Sequence, residues 1–121
     1  MENKLFGNTL FNIEEVEVLS IPSKTMLLEE GKIADKLYFI RKGCLRLFFY
    51  NEGKDITFQF FFEGDFVASF DSLYKGTPSL FSLESIEPSE VMFIKKEDFY
   101  NEIENNSSLR KVYEEKIIER F

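Results

Sequence analysis

A few hydroxyls and one thiol are the groups in this chain whose types and spacing offer chemistry. Ser69, Thr77, Ser79 and Ser82 follow the segment Gly64-Asp65-Phe66 closely in sequence. Set among small and apolar residues, they can hydrogen-bond a neutral polar ligand. Hydroxyls beside turns more often bond to neighbouring backbone groups. Cys44 stands between Lys42 and Arg46, and nearby positive charge favours the reactive thiolate. A lone cysteine buried as a small apolar residue is the commoner arrangement. Histidine is absent, which excludes Ser-His-Asp and Cys-His catalysis and removes the commonest ligand of zinc and haem iron. One cysteine makes neither an internal disulfide nor an iron–sulfur cluster. The expectation is a protein with no catalytic residues, no metal and no cofactor: a binding module, not an enzyme.

Short strands must position these groups. Apolar and β-branched runs at Val16–Ser20, Thr25–Leu28, Leu37–Ile40, Cys44–Tyr50, Ile56–Phe62, Ser79–Ile86 and Val91–Ile94 are separated by Gly, Pro and polar turns. Asn51-Glu52-Gly53-Lys54 reads as a hairpin turn. A short apolar strand at Val67 leads into a brief helix over Ser69–Lys75, stopped by Gly76-Thr77-Pro78. Helices are expected at the ends: Glu2–Phe11, with Leu5, Phe6 and Leu10 on one side, then Lys96–Glu104 and Leu109–Phe121. Helices outside the strand region argue against a parallel α/β sheet and for a sandwich, barrel or jelly roll. In the last helix Leu109, Val112, Tyr113, Ile117 and Phe121 share one apolar stripe, which favours a partner helix.

Composition agrees with a small, densely packed domain. The 121 residues suit one domain, and 15 phenylalanines supply large buried areas from few side chains. A net charge of −7, from 22 acidic and 15 basic residues, disfavours nucleic-acid binding, which draws its affinity from Lys and Arg on phosphates. No apolar run approaches the ~20 residues of a membrane span, and the N-terminus lacks the apolar core of a signal peptide. A cytoplasmic location is the default, with no membrane partner.

The order of these elements, with Ile21-Pro22-Ser23-Lys24, Leu28 to Gly31, Leu37-Tyr38-Phe39-Ile40 with Lys42-Gly43, Glu52-Gly53-Lys54 and Gly64-Asp65-Phe66, resembles the sensory domain of Crp/Fnr-type transcriptional regulators. Val91 to Phe99 is similar to the last strand of that domain and the helix after it. Pro78-Ser79-Leu80-Phe81-Ser82 is nearest to the regulators of this type from Bacteroidetes. The resemblance implies a mainly β double-stranded β-helix (jelly roll) of the cyclic-nucleotide-binding type with flanking helices. Residues 1–105 would form the roll with an N-terminal helix and the first C-terminal helix. Residues 106–121 would begin a dimerisation helix. The helix-turn-helix domain through which such regulators bind DNA is not within this sequence, which reads as part of a longer regulator or a truncated one.

The resemblance also places a candidate pocket. Leu28, Leu47, Phe58 and Phe61 map to positions lining the family's cavity, where their side chains either stack on a planar ligand or fill the space. Gly64, Val67, Ala68, Ser69, Ser79, Leu80, Phe81 and Ser82 map to its phosphate-binding cassette. In nucleotide binders of this kind a glutamate takes the ribose and an arginine the phosphate. Here the Gly-Glu pair maps onto Ala68-Ser69 and the arginine onto Ser79, or Leu80 if the alignment slips by one. Neither option carries charge. The implied function is an effector-sensing, homodimerising domain that binds cyclic AMP poorly, with Leu109, Val112, Tyr113, Ile117 and Phe121 at the dimer interface and an unidentified small-molecule effector. The alternatives are a cyclic-nucleotide module of a kinase or channel and a ligand-free structural dimerisation domain. A cupin-like enzyme, which usually builds its metal centre from histidines, is disfavoured by composition.

Overall fold

A computed structural model describes residues 4–6, 9–11, 17–105 and 110–111. Through Asn105 the described residues form, in order, β1 (Lys4–Phe6), β2 (Thr9–Phe11), β3 (Glu17–Ile21), β4 (Met26–Leu28), β5 (Lys36–Lys42), β6 (Cys44–Asn51), β7 (Lys54–Phe62), β8 (Phe66–Val67), α1 (Phe70–Lys75), β9 (Ser82–Ser85), β10 (Ser89–Lys95) and α2 (Lys96–Asn105). Eight strands form two four-stranded antiparallel sheets, in the orders β3-β10-β5-β8 and β4-β9-β6-β7. This is a jelly roll: consecutive strands from β3 to β10 alternate between the sheets except β6 and β7, which pair as a hairpin, and the apolar side of each sheet faces the other.

The core has two parts. Between the sheets, Ile40, Leu45, Leu47, Phe61, Val67, Leu83 and Val91 form one cluster. At the helical end, Leu37, Ala68, Phe70, Leu73, Ile94, Phe99 and Ile103 form the second, holding α1 and α2 on the roll. Leu28 packs against both. Full burial of each large apolar side chain contributes roughly 1.5–3 kcal/mol, so these short elements depend on the clusters for their stability.

Two expectations from sequence are corrected. The N-terminal segment is not a helix: β1 and β2 pair as an antiparallel hairpin, Lys4 opposite Phe11 and Phe6 opposite Thr9. Gly7 and Asn8 between them are poor helix formers and, as a two-residue Gly-Asn spacer, are themselves a hairpin signal. The strand expected from Ser79 begins only at Ser82. Before it, the Ser79 hydroxyl accepts the Phe81 N–H at 3.0 Å and folds residues 79–81 into a turn. The expected helix from Leu109 lies mostly outside the described residues; Arg110 and Lys111 are helical.

Two connections set the geometry. Between β6 and β7, Glu52 (φ 54°) and Gly53 (φ 79°) both take the left-handed conformation, the two-residue turn whose twist matches paired strands. Between β5 and β6 the chain crosses from one sheet to the other at Gly43. Its φ is +105°, and a Cβ there would lie 2.2 Å from the Ser89 Oγ and 2.8 Å from the Ser89 Cα. Only glycine fits this corner. Gly43→Ala should therefore destabilise the domain by about 3 kcal/mol, combining backbone strain with overpacking. Urea unfolding should show it as a fall in midpoint at unchanged slope.

Candidate ligand-binding site

The site is built on the segment from Phe62 to Ser82. β7 ends in a turn that Asp65 closes: its Oδ2 accepts the Phe62 N–H at 2.8 Å and its own N–H donates to the Phe62 carbonyl at 2.9 Å. Gly64 sits in this turn with φ +91°, its N–H on the Ile40 carbonyl at 2.8 Å. The Asp65 carboxylate thus supports a turn. β8 then carries Val67, fully buried, into Ala68 and Ser69, and Ser69 caps α1, its carbonyl accepting the Leu73 N–H at 2.9 Å. Gly76 in the left-handed conformation ends α1, and the chain returns through Ser79 to β9.

Within this loop the two serines that the sequence reading set at the family's charge-bearing positions meet each other. The Ser79 and Ser69 hydroxyls are 2.7 Å apart, and both residues are buried. The Ser79 Oγ also lies 2.7 Å from the Phe81 carbonyl oxygen. One hydroxyl proton serves one acceptor at a time, so when Ser79 donates to Phe81 the Ser69 hydroxyl donates in its place. Both hydroxyls of the pair have partners within the protein. The neighbouring Ser72 Oγ accepts the Ala34 N–H at 2.9 Å and donates to the Thr77 carbonyl. Ser82 accepts the Glu30 N–H at 2.9 Å.

The space beside this pair is small. A cleft lined by Leu28, Tyr38, Ala68, Ser69 and Leu83 among others has a volume of about 10 Å³, room for about one water. Burial first, and the Asp35 carboxylate second, push the Tyr38 phenol up to about 12, so it stays neutral. Leu47, Phe61 and Val67 are core residues between the sheets. Phe58 is the extra residue of a bulge in β7 and is half exposed, with its ring 4.8 Å from that of Phe81, which in turn lies 5.9 Å from Phe49. Leu80 is exposed. The sequence-derived residues are therefore divided among a core, a serine-lined turn and an aromatic trio, and Leu109, Val112, Tyr113, Ile117 and Phe121 lie outside the described residues.

Residues 18–106 match the family described as cyclic nucleotide-binding domain. The chain belongs to the cyclic nucleotide-binding domain family. Among solved structures, the fold is similar to the catabolite activator protein of Thermus thermophilus (19% identity, TM-score 0.77, 87% of this chain and 49% of that one). It is also similar to the sensor domain of the transcriptional regulator DNR from Pseudomonas aeruginosa (16% identity, TM-score 0.73, 87% of this chain and 71% of that one). A third likeness is to the regulatory domain of Toxoplasma gondii PKA, solved with cAMP (18% identity, TM-score 0.69, 83% of this chain and 38% of that one). The chain thus spans about half the length of the activator protein. No curated protein gives a significant match.

Sequence reading missed the most charged cluster, on the outer face of the second sheet. Arg46 on β6 donates through Nη1 and Nη2 to the two Asp55 carboxylate oxygens, each at 2.6 Å, through Nε and Nη2 to Glu84 Oε1 at 2.9 and 2.7 Å, and through Nη1 to Thr57 Oγ1 at 2.8 Å. The guanidinium also lies 4.0 Å from the Phe48 ring centroid. All five N–H groups are used. The adjacent groove of about 280 Å³, lined in part by Lys24, Phe60 and Ile86, therefore has no arginine donor left for an anion. The partners lie on three strands, so only the register of Arg46 opposite Glu84 and Phe60 brings them together.

That network also decides the thiol. Arg46 is committed elsewhere, and Cys44 is buried; burial first, and the Glu87 carboxylate second, raise the Cys44 pKa. The positive surroundings expected from sequence do not activate it. Native protein should react with a thiol reagent at neutral pH at least ~100-fold more slowly than the urea-unfolded chain, as expected of a buried, protonated thiol. A labelling time course checks this.

The hydrogen bonds from Arg46, ahead of the opposing effect of burial, hold the Asp55 carboxyl below its ordinary 3.8. A depressed folded value stabilises the fold above the unfolded value, and the gain is lost as pH falls through the folded one. The stability difference between the parent and Asp55→Asn should therefore be constant near neutral pH and shrink as the pH falls below the ordinary carboxyl value of 3.8, measured by urea unfolding across pH.

Proposed function

We propose that this chain is the effector-sensing and dimerisation domain of a Crp/Fnr-like transcriptional regulator of the Bacteroidetes type, with a cassette that no longer holds a cyclic nucleotide. The observation that carries the reading is the Ser69–Ser79 contact. A cyclic nucleotide brings a buried phosphate charge, and hydrogen bonds to charged groups contribute about 1.5–3 kcal/mol each. Neutral serines already bonded to one another offer no compensating charge, and the cleft beside them would have to open by far more than one water. The family match and the likeness to the activator protein and the DNR sensor domain support the regulatory part of the reading.

The domain acts by a biased two-state equilibrium: an effector with different affinities for the two states shifts the last helix and, with it, a DNA-binding domain. It performs no catalysis. Homodimerisation runs through Leu109, Val112, Tyr113, Ile117 and Phe121, in a cytoplasmic protein. Among the described residues no helix is long and apolar enough to cross a membrane. The kinase regulatory domain solved with cAMP favours a second reading, a cyclic-nucleotide module of another signalling protein.

Calorimetric titration separates the two. Cyclic AMP and cyclic GMP should bind more weakly than about 1 µM, an affinity worth about 8 kcal/mol; tighter binding of either favours the second reading. Ser69→Glu with Ser79→Arg should gain affinity if these positions are the cassette's charge-bearing ones.

A further inference from the structure

β7 is the longest sheet edge of the roll. It has 9 residues, against 5 in β3, 3 in β4 and 2 in β8, and among the described residues no strand pairs with its outer side. Edge strands in monomeric proteins are blunted by shortness, charge or proline. Ile56 to Phe62 contains neither a charge nor a proline, and Phe58, Phe60 and Phe62 are 46%, 48% and 57% exposed.

The bulge gives this edge a particular symmetry. Gln59 pairs with Leu47 and Thr57 with Phe48, leaving Phe58 extra. Phe58 meets Phe81 on the inner face, and Gln59 lies opposite the buried Leu47, so these consecutive residues share one side. The inner face of β7 thus carries Ile56, Phe58, Gln59 and Phe61. The outer face carries Asp55, Thr57 and Phe60, which join the Arg46 cluster and its groove, and Phe62. This pattern is its own mirror image about the junction of Phe58 and Gln59.

We infer that a second copy of this chain docks on the edge, β7 pairing antiparallel with its own copy about a two-fold axis at that junction. The pairing sets Phe58 opposite Gln59, Ile56 opposite Phe61, Thr57 opposite Phe60 and Asp55 opposite Phe62, each pair on one face. A slip of one residue would set inner side chains against outer ones. The same register brings Lys54 of each copy opposite Glu63 of the other. Both are exposed and in no ion pair among the described residues, so opposite charges close both ends of the ladder. The two four-stranded sheets become one of eight strands. The inference does not rest on the proposed function.

Sedimentation equilibrium of the 121-residue chain carrying Val112→Glu and Ile117→Glu, which silence the last helix, tests this. A dimer should persist. Lys54→Glu or Glu63→Lys alone should each weaken it roughly three- to tenfold, and the two together should restore it to within about twofold, since both charge pairs are re-formed. Phe60→Lys should abolish it. Hydrogen exchange of the unsubstituted chain is the second measurement: amides of β7 should gain protection with rising protein concentration while those of β3 do not. A monomer in the helix-silenced chain that retains the native circular dichroism, a double reversal no tighter than the single ones, or β7 exchange independent of concentration each overturns the proposal.

Discussion

A roll of short strands buries backbone groups at its corners, where no ladder can satisfy them, and here serine hydroxyls do it. The buried polar residues among those described are Ser69, Ser72, Ser79, Ser82, Ser85 and Ser89. Five of them accept a backbone N–H: Ser72 from Ala34, Ser79 from Phe81, Ser82 from Glu30, Ser85 from Thr25 and Ser89 from Cys44. Ser85 and Ser89 also donate to the carbonyls of Pro22 and Glu87. A buried backbone group without a partner costs about 1–3 kcal/mol, comparable with the burial of a leucine. Most of these bonds join segments distant in sequence, so the hydroxyls fix how loops of one sheet sit on the other.

The same chemistry shapes the cassette. A charged pair at positions 69 and 79 would hold the turn and the helix apart around an anion. Two serines instead bond across the gap, and Ala68, Leu28 and Leu83 pack beside them. The cleft beside them has room for about one water. Of the residues predicted for the pocket, Phe58 and Phe81 stack in an aromatic trio with Phe49, which was not predicted, and the bulge at Phe58 sets its place in the trio.

The outer face of the second sheet follows a different rule. Arg46 stands between two carboxylates with every N–H committed, which ties β6 to β7 and β9 on the side away from the core. A bidentate, partly shielded arrangement of this kind is fixed in geometry where a lone surface ion pair is not. Beyond Asp55 and Thr57, the outer edge of β7 pairs with no strand among the described residues.

The sequence by itself determined the class of fold and most of its elements. Period-two apolar runs, Gly-Asp-Phe at the end of β7, and the Gly and Pro breaks mark strands because side-chain alternation and turn chemistry are local properties. The short helix before Gly76 was legible for the same reason, as was the lack of charge at positions 69 and 79. The hairpin at Lys4–Phe11 was misread because Leu5, Phe6 and Leu10 fit either a helical side or paired strands. What only the tertiary structure decided was everything that depends on register. It bonded Ser69 to Ser79, put Phe58 and Phe61 on one face through a bulge, and gathered Asp55, Thr57 and Glu84 from two strands around Arg46 on a third. The reason is physical: a strand's sequence fixes which side chains alternate, but the offset between strands, one residue of which reverses every face, is set by closing the whole roll around its core.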